Sequence, residues 1–100
     1  MKTLDHVALQ VDDPRKAAEW YCEVFGAEPI YVDDTWSFIQ FSNVKLAFVI
    51  KTQHPPHIAF EVDDFEEGDR VKSHRDGTHS AYKADPFGNI YELIKYPKKS

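Results

Sequence analysis

Apolar and polar residues alternate along the first strand-sized stretch of the chain. Leu4, His6, Ala8 and Gln10 fall on one side, and Val7, Leu9 and Val11 on the other. A period of two predicts a strand with one fully apolar face and one small or polar face. The pattern changes at Asp13-Pro14. Asp13 can cap a helix, and Pro14 suits the first helical position, where a missing N–H loses no partner. Ala17, Tyr21, Val24 and Phe25 follow at helical spacing, with Ala18 and Cys22 beside them, and Gly26 suits a left-handed C-cap. The helix is expected over 14–25. Three β-prone runs follow at 27–32, 36–41 and 44–51, separated by Asp33-Asp34 and Ser42-Asn43 as turns. Residues 52–56 carry two prolines and read as a connector. The first half therefore reads β-α-β-β-β.

The pattern then starts again. His57, Ala59 and Glu61 point one way, and Ile58, Phe60 and Val62 the other. Asp63-Asp64 precede a helix-capable run over 65–74. It is a poor helix, because Gly68 sits inside it and its apolar stripe is only Phe65 and Val71. Asp76-Gly77 is a turn, 78–83 a strand, 85–88 a tight turn and 89–96 a last strand, with Ile90, Glu92, Ile94 and Tyr96 on one face. Asp5 to Asp13 recurs 51 positions later as Pro56 to Asp64. His6 aligns with His57, Ala8 with Ala59 and Val11 with Val62. Self-similarity at half the chain length predicts two copies of one unit. Two histidines at equivalent places could face each other across a shared site.

Composition bounds the rest. A chain of 100 residues supports one domain, 1–100, with module one at about 1–51 and a shortened module two at about 56–97. The net charge of −5 disfavours nucleic-acid partners, and the tail Lys98-Lys99 is too short to be a basic patch. Cys22 is the only cysteine, which excludes an intrachain disulfide and a multi-cysteine zinc cage. The longest apolar run, 46–50, is far below the roughly 18 residues needed to span a bilayer. Asp5 and His6 stand where a signal peptide needs apolar residues, so a cytoplasmic location is expected.

Four stretches resemble the vicinal oxygen chelate superfamily, the glyoxalase, bleomycin-resistance and extradiol-dioxygenase group. They are Asp5-His-Val-Ala-Leu-Gln-Val11, Trp20-Tyr-Cys-Glu-Val-Phe-Gly26, His57-Ile-Ala-Phe-Glu-Val62 and Tyr82-Lys-Ala-Asp-Pro-Phe-Gly-Asn-Ile-Tyr-Glu-Leu93. The resemblance implies an α+β fold of two βαβββ modules, the second shortened, forming a curled mixed sheet around a concave site. It also implies a divalent metal (Fe, Mn, Zn or Ni) held by His6, His57 and Glu92. The fourth family position aligns with Ala47, which cannot bind a metal. The chain thus departs from the four-ligand glyoxalase I pattern and keeps a two-histidine-one-carboxylate set. A homodimer and a small-molecule substrate are further implied.

Two imidazoles and one carboxylate on one side of a metal leave positions open for both oxygens of a chelating substrate. Ala8 and Ala59 leave room beside the histidines, and Gln10 and Glu61 offer supporting polar groups. The bland reading of Glu92 is a salt bridge to Lys95 or Lys83. Tyr82 is a second catalytic candidate beside Glu92. With His74 it partly matches the dioxygenase signature, although Ala81 replaces a larger residue. His54 and His79 are expected in solvated loops, and Cys22 in packing. Trp20, Tyr31, Trp36 and Phe38 either line a pocket or fill core. Two functions compete: a metal-dependent lyase, isomerase, thiol transferase or dioxygenase, and a metal-free drug- or small-molecule-binding protein.

Overall fold

The computed structural model describes residues 1–97. Module one runs β1 (Thr3–Gln10), α1 (Pro14–Phe25), β2 (Glu28–Val32), β3 (Trp36–Gln40) and β4 (Lys45–Val49). Module two runs β5 (His57–Glu61), β6 (Lys72–Ser73), β7 (His79–Ala84) and β8 (Ile90–Lys95). All eight strands form one sheet in the order β2-β3-β4-β1-β5-β8-β7-β6. β1 and β5 pair antiparallel at its centre, and each is flanked on its other side by the parallel last strand of its own module. The expected α+β class and curled mixed sheet are therefore the observed ones.

The helix forms where its capping signals lie. Asp13 is extended and its carboxylate accepts from the Lys16 N–H at 3.0 Å. Gly26 has φ +76°, a left-handed conformation that a side chain would strain, and its N–H closes the helix on the Cys22 carbonyl. α1 covers the back of β2, β3 and β4. There Ala18 and Ala27 pack against Ile39 and Phe48, and Tyr21 stacks on Phe48 at 5.2 Å.

Among the described residues, module two has no helix. The run 65–74 expected to be helical is a series of turns followed by β6. Gly68 takes φ +93°, outside helical geometry. Carboxylates capture local N–H groups instead: Asp64 accepts from Phe65, and Asp69 from Glu66. Asp63-Asp64 therefore cap nothing. With no helix behind β1 and β5, Leu4, Leu9 and Ile58 stay partly exposed on that face.

The strand register also slips in two places, on β2–β3 between Pro29 and Tyr31 and near the start of β1. The β1–β5 register slips between Leu4, opposite Phe60, and His6, opposite Ala59, so β1 carries one extra residue. Leu4 thereby joins the back face rather than that of His6, and Asp5 and His6 become buried neighbours. Among the described residues, no helix is long and apolar enough to cross a membrane.

Phe48 is fully buried in the helix-covered core, whereas Phe87 is 86% exposed in a turn. Phe48→Ala should cost about 3–5 kcal/mol of unfolding free energy, and Phe87→Ala less than about 0.5 kcal/mol. Urea midpoints of the two variants against wild type check this.

Candidate functional site

The central strand pairing decides where the chemistry sits. In the antiparallel register His6 lies opposite Ala59 and His57 opposite Ala8, so the two histidines stand on one diagonal with an alanine beside each. β8 runs parallel to β5 and places Glu92 opposite Ala59. These three side chains converge. His6 Nε2 is 3.4 Å from His57 Nε2, and Glu92 Oε1 is 3.1 Å from His6 Nε2 and 3.4 Å from His57 Nε2. All three residues are buried at the floor of a cavity of about 610 Å³.

The far side of each ring fixes its proton. His6 Nδ1 lies 2.7 Å from Asp5 Oδ2, and His57 Nδ1 lies 2.8 Å from the Pro55 carbonyl. Both partners accept only, so both Nδ1 atoms donate. In the neutral rings each Nε2 then presents a lone pair to the other and to a carboxylate. Three lone pairs this close repel unless protons or a cation lie between them. The spacing suits one ion: ligand atoms about 2.1 Å from a shared centre, at roughly 100–110°, stand about 3.2–3.4 Å apart. His6, His57 and Glu92 can therefore hold a metal ion, and their donor atoms fit one.

A second network anchors this triad. Asp5 Oδ1 accepts from Lys45 Nζ at 3.1 Å and from the Tyr96 hydroxyl at 2.8 Å, and Lys45 also donates to the Tyr96 oxygen. Burial pushes the Asp5 carboxyl up, but the hydrogen bonds from His6, Tyr96 and Lys45 outweigh it and leave it below its ordinary value. Burial pushes His6 down, yet Asp5 and Glu92 together raise it. At Glu92 burial again acts upward, and the close approach of His57 and His6 overcomes it, leaving the carboxyl at about 2. Burial and the Glu92 charge raise the Tyr82 hydroxyl, so it stays protonated. Its ring packs edge-on against His57 at 5.0 Å, and its oxygen is 3.3 Å from His54 Nδ1.

Several expectations are corrected here. Lys83 and Lys95 do not reach Glu92; Lys83 pairs with Asp69 and Glu66, and Lys95 with Asp64. His54 is half-buried on the cavity wall rather than solvated, with its pKa lowered by burial and by His57. His79 begins β7 and is half-buried. His74 also lines the cavity but is tied to Ser80, 2.7 Å away. Gln10 reaches the His54 carbonyl, a position from which it braces the cavity wall. Cys22 packs from α1 against the core as expected. Trp36, Phe38 and Tyr31 line the cavity, whereas Trp20 lies exposed on α1. Asp5, Lys45 and Tyr96 were not anticipated. Their sequence signals are an acidic residue beside His6 where module two has Pro56, and the place of Tyr96 on the same strand face as Glu92.

The register also locates the position at which the resemblance leads one to expect a fourth ligand. Ala47 faces Ala8 as Glu92 faces Ala59, so Ala47 occupies the place that pseudo-symmetry assigns to a second carboxylate.

A model of the Glyoxalase/Bleomycin resistance protein/Dioxygenase superfamily matches residues 3–95. The chain belongs to that superfamily. No curated protein matches it in sequence. Among solved structures, a hypothetical protein from Bacillus halodurans is similar at TM-score 0.74 and 16% identity, over 99% of this chain and 97% of that one. Streptomyces coelicolor methylmalonyl-CoA epimerase, solved with 2-nitronate-propionyl-CoA, gives 0.72 and 17%, over 98% and 100%. A superfamily member from Vibrio splendidus gives 0.69 and 14%, over 95% and 98%. At such identities these likenesses establish the superfamily fold and leave the chemistry to the site.

The Asp5–His6 pair yields a pH signature in protein without added metal. The depressed Asp5 pKa contributes stability above the unfolded value near 3.8, lost as pH falls through the lower folded value. The raised His6 pKa contributes stability below the unfolded value near 6.5, lost as pH rises through the higher folded value. This contribution should therefore be fullest between the two unfolded values and decline on either side. Asp5→Asn should flatten both limbs, as read by urea unfolding across pH.

Proposed function

We propose that this chain is a small metal-dependent enzyme that binds a bidentate oxygen substrate at His6, His57 and Glu92 and stabilises an oxyanion as it forms. The observation that carries the reading is the gathering of both Nε2 atoms and Glu92 Oε1 within 3.1–3.4 Å of one another on a cavity floor. A divalent ion of the Fe, Mn, Zn or Ni kind would supply Lewis acidity toward the two substrate oxygens.

The chain's own residues do the rest. Asp5 and the Pro55 carbonyl hold the imidazoles in the ligating tautomer. Lys45 and Tyr96 fix Asp5 in turn. Tyr82 keeps its proton at neutral pH and sits against His57, a position from which its hydroxyl can donate to a substrate oxygen. Its catalytic role is part of this proposal, as is the ligand role of Glu92. A small organic substrate is the partner, and a homodimer is the assembly this reading carries, for which light scattering is the test.

The second reading, a metal-free binder of an apolar or cationic aromatic molecule, draws on the aromatic lining at Trp36 and Phe38. It gives no reason for three converging donors. Elemental analysis after equilibration with each metal separates the readings: about one equivalent is expected per chain. His57→Ala should abolish stoichiometric metal, and Asp5→Ala should weaken affinity roughly 10–100-fold. Wild-type protein that takes up no metal under any of these conditions would favour the binder.

A further inference from the structure

The internal repeat lets the two halves of the cavity be compared position by position. Phe38 faces Ala47 across β3–β4 as Tyr82 faces Glu92 across β7–β8. Trp36 faces Val49 as Ser80 faces Ile94. Where module two presents Glu92, Tyr82 and Ser80, module one presents Ala47, Phe38 and Trp36. At these three positions the polar residues of module two are replaced by apolar ones in module one.

The apolar half is built as a ladder. Trp36 and Phe38 stack at 5.5 Å with planes 24° apart, and Tyr31 continues the row at 4.9 Å from Trp36. Lys45 Nζ sits 5.4 Å over the Phe38 ring. The ring faces are thus spent on each other, which leaves ring rims toward the cavity. Phe38 already meets His6 edge-on at 5.3 Å and 89°, so the ladder begins beside the triad. Ring rims carry partial positive charge and favour the π-face of another ring.

We propose that the substrate is a flat, unsaturated or aromatic molecule whose two oxygens sit at the triad and whose planar body lies against the Phe38–Trp36 rims. This rests on the chelate reading above and adds the shape and chemical class of the ligand's other end. Phe38 and Trp36 are then specificity-determining residues. The Ala47 position is what admits the ring, because a carboxylate there would place a charge against it.

Three hydroxamates, which all chelate through the same two oxygens, test this on metal-loaded protein. Benzohydroxamate is flat, cyclohexanecarbohydroxamate is as bulky but puckered, and acetohydroxamate has no body. Titration calorimetry should give benzohydroxamate about tenfold tighter than either of the others. Phe38→Ala and Trp36→Ala should bring that ratio toward one while metal content and acetohydroxamate affinity stay within about twofold. Equal binding of benzohydroxamate and acetohydroxamate, or equal binding of the flat and puckered rings, overturns the proposal and leaves the chelate reading standing. Metal-loaded protein that binds none of the three, or protein that takes up no metal, overturns both.

Discussion

The antiparallel pairing of β1 with β5 is the constraint on which the molecule depends. It joins two modules through a single ladder at the centre of the sheet. Side chains alternate between faces with a period of two, so this register alone decides whether His6 and His57 meet. A slip of one residue would send one histidine to the back. The slip that does occur lies before His6, at Asp5, and leaves the histidine diagonal intact. It also packs Asp5 beside His6 and opens the way for Lys45 and Tyr96 to hold that carboxylate.

Around this symmetric centre the two modules differ in a consistent way. Module one keeps its helix, its core and its aromatic ladder; module two keeps the carboxylate and the hydroxyl groups. The helix-covered half holds the largest fully buried side chains, Phe48 and Ile39. The half with Glu92 and Tyr82 is backed by turns that are tied down by ion pairs such as Lys83 to Asp69. Burying three polar side chains on one cavity floor is costly unless they are mutually satisfied. The raised His6 and depressed Glu92 pKa values both follow in part from their contact with each other.

Much of this was legible along the chain. The capping pair Asp13-Pro14 and Gly26 placed α1, and the repeat placed both histidines and the boundary between modules. The family resemblance singled out Glu92 in the last strand and placed Ala47 at the position without a ligand. Three kinds of feature were not legible. The failure of the 65–74 helix reflects local competition, in which Asp64 and Asp69 offer their carboxylates to backbone N–H groups and Gly68 leaves helical geometry. The face of Leu4 depended on a register slip that no periodicity reveals. The partners of Asp5 lie 40 and 91 residues away.

The sequence by itself determined α1, the longer strands, the duplication and the chemical identities of the residues that converge, because capping, alternation and repetition can be read from the order of residues alone. Tertiary structure decided which way each imidazole carries its proton, how far apart the three donors stand, and which aromatic residues line the cavity rather than the core. Those outcomes arise from pairings between strands distant in sequence. A one-residue change of register there costs little locally and would redirect every side chain on the strand.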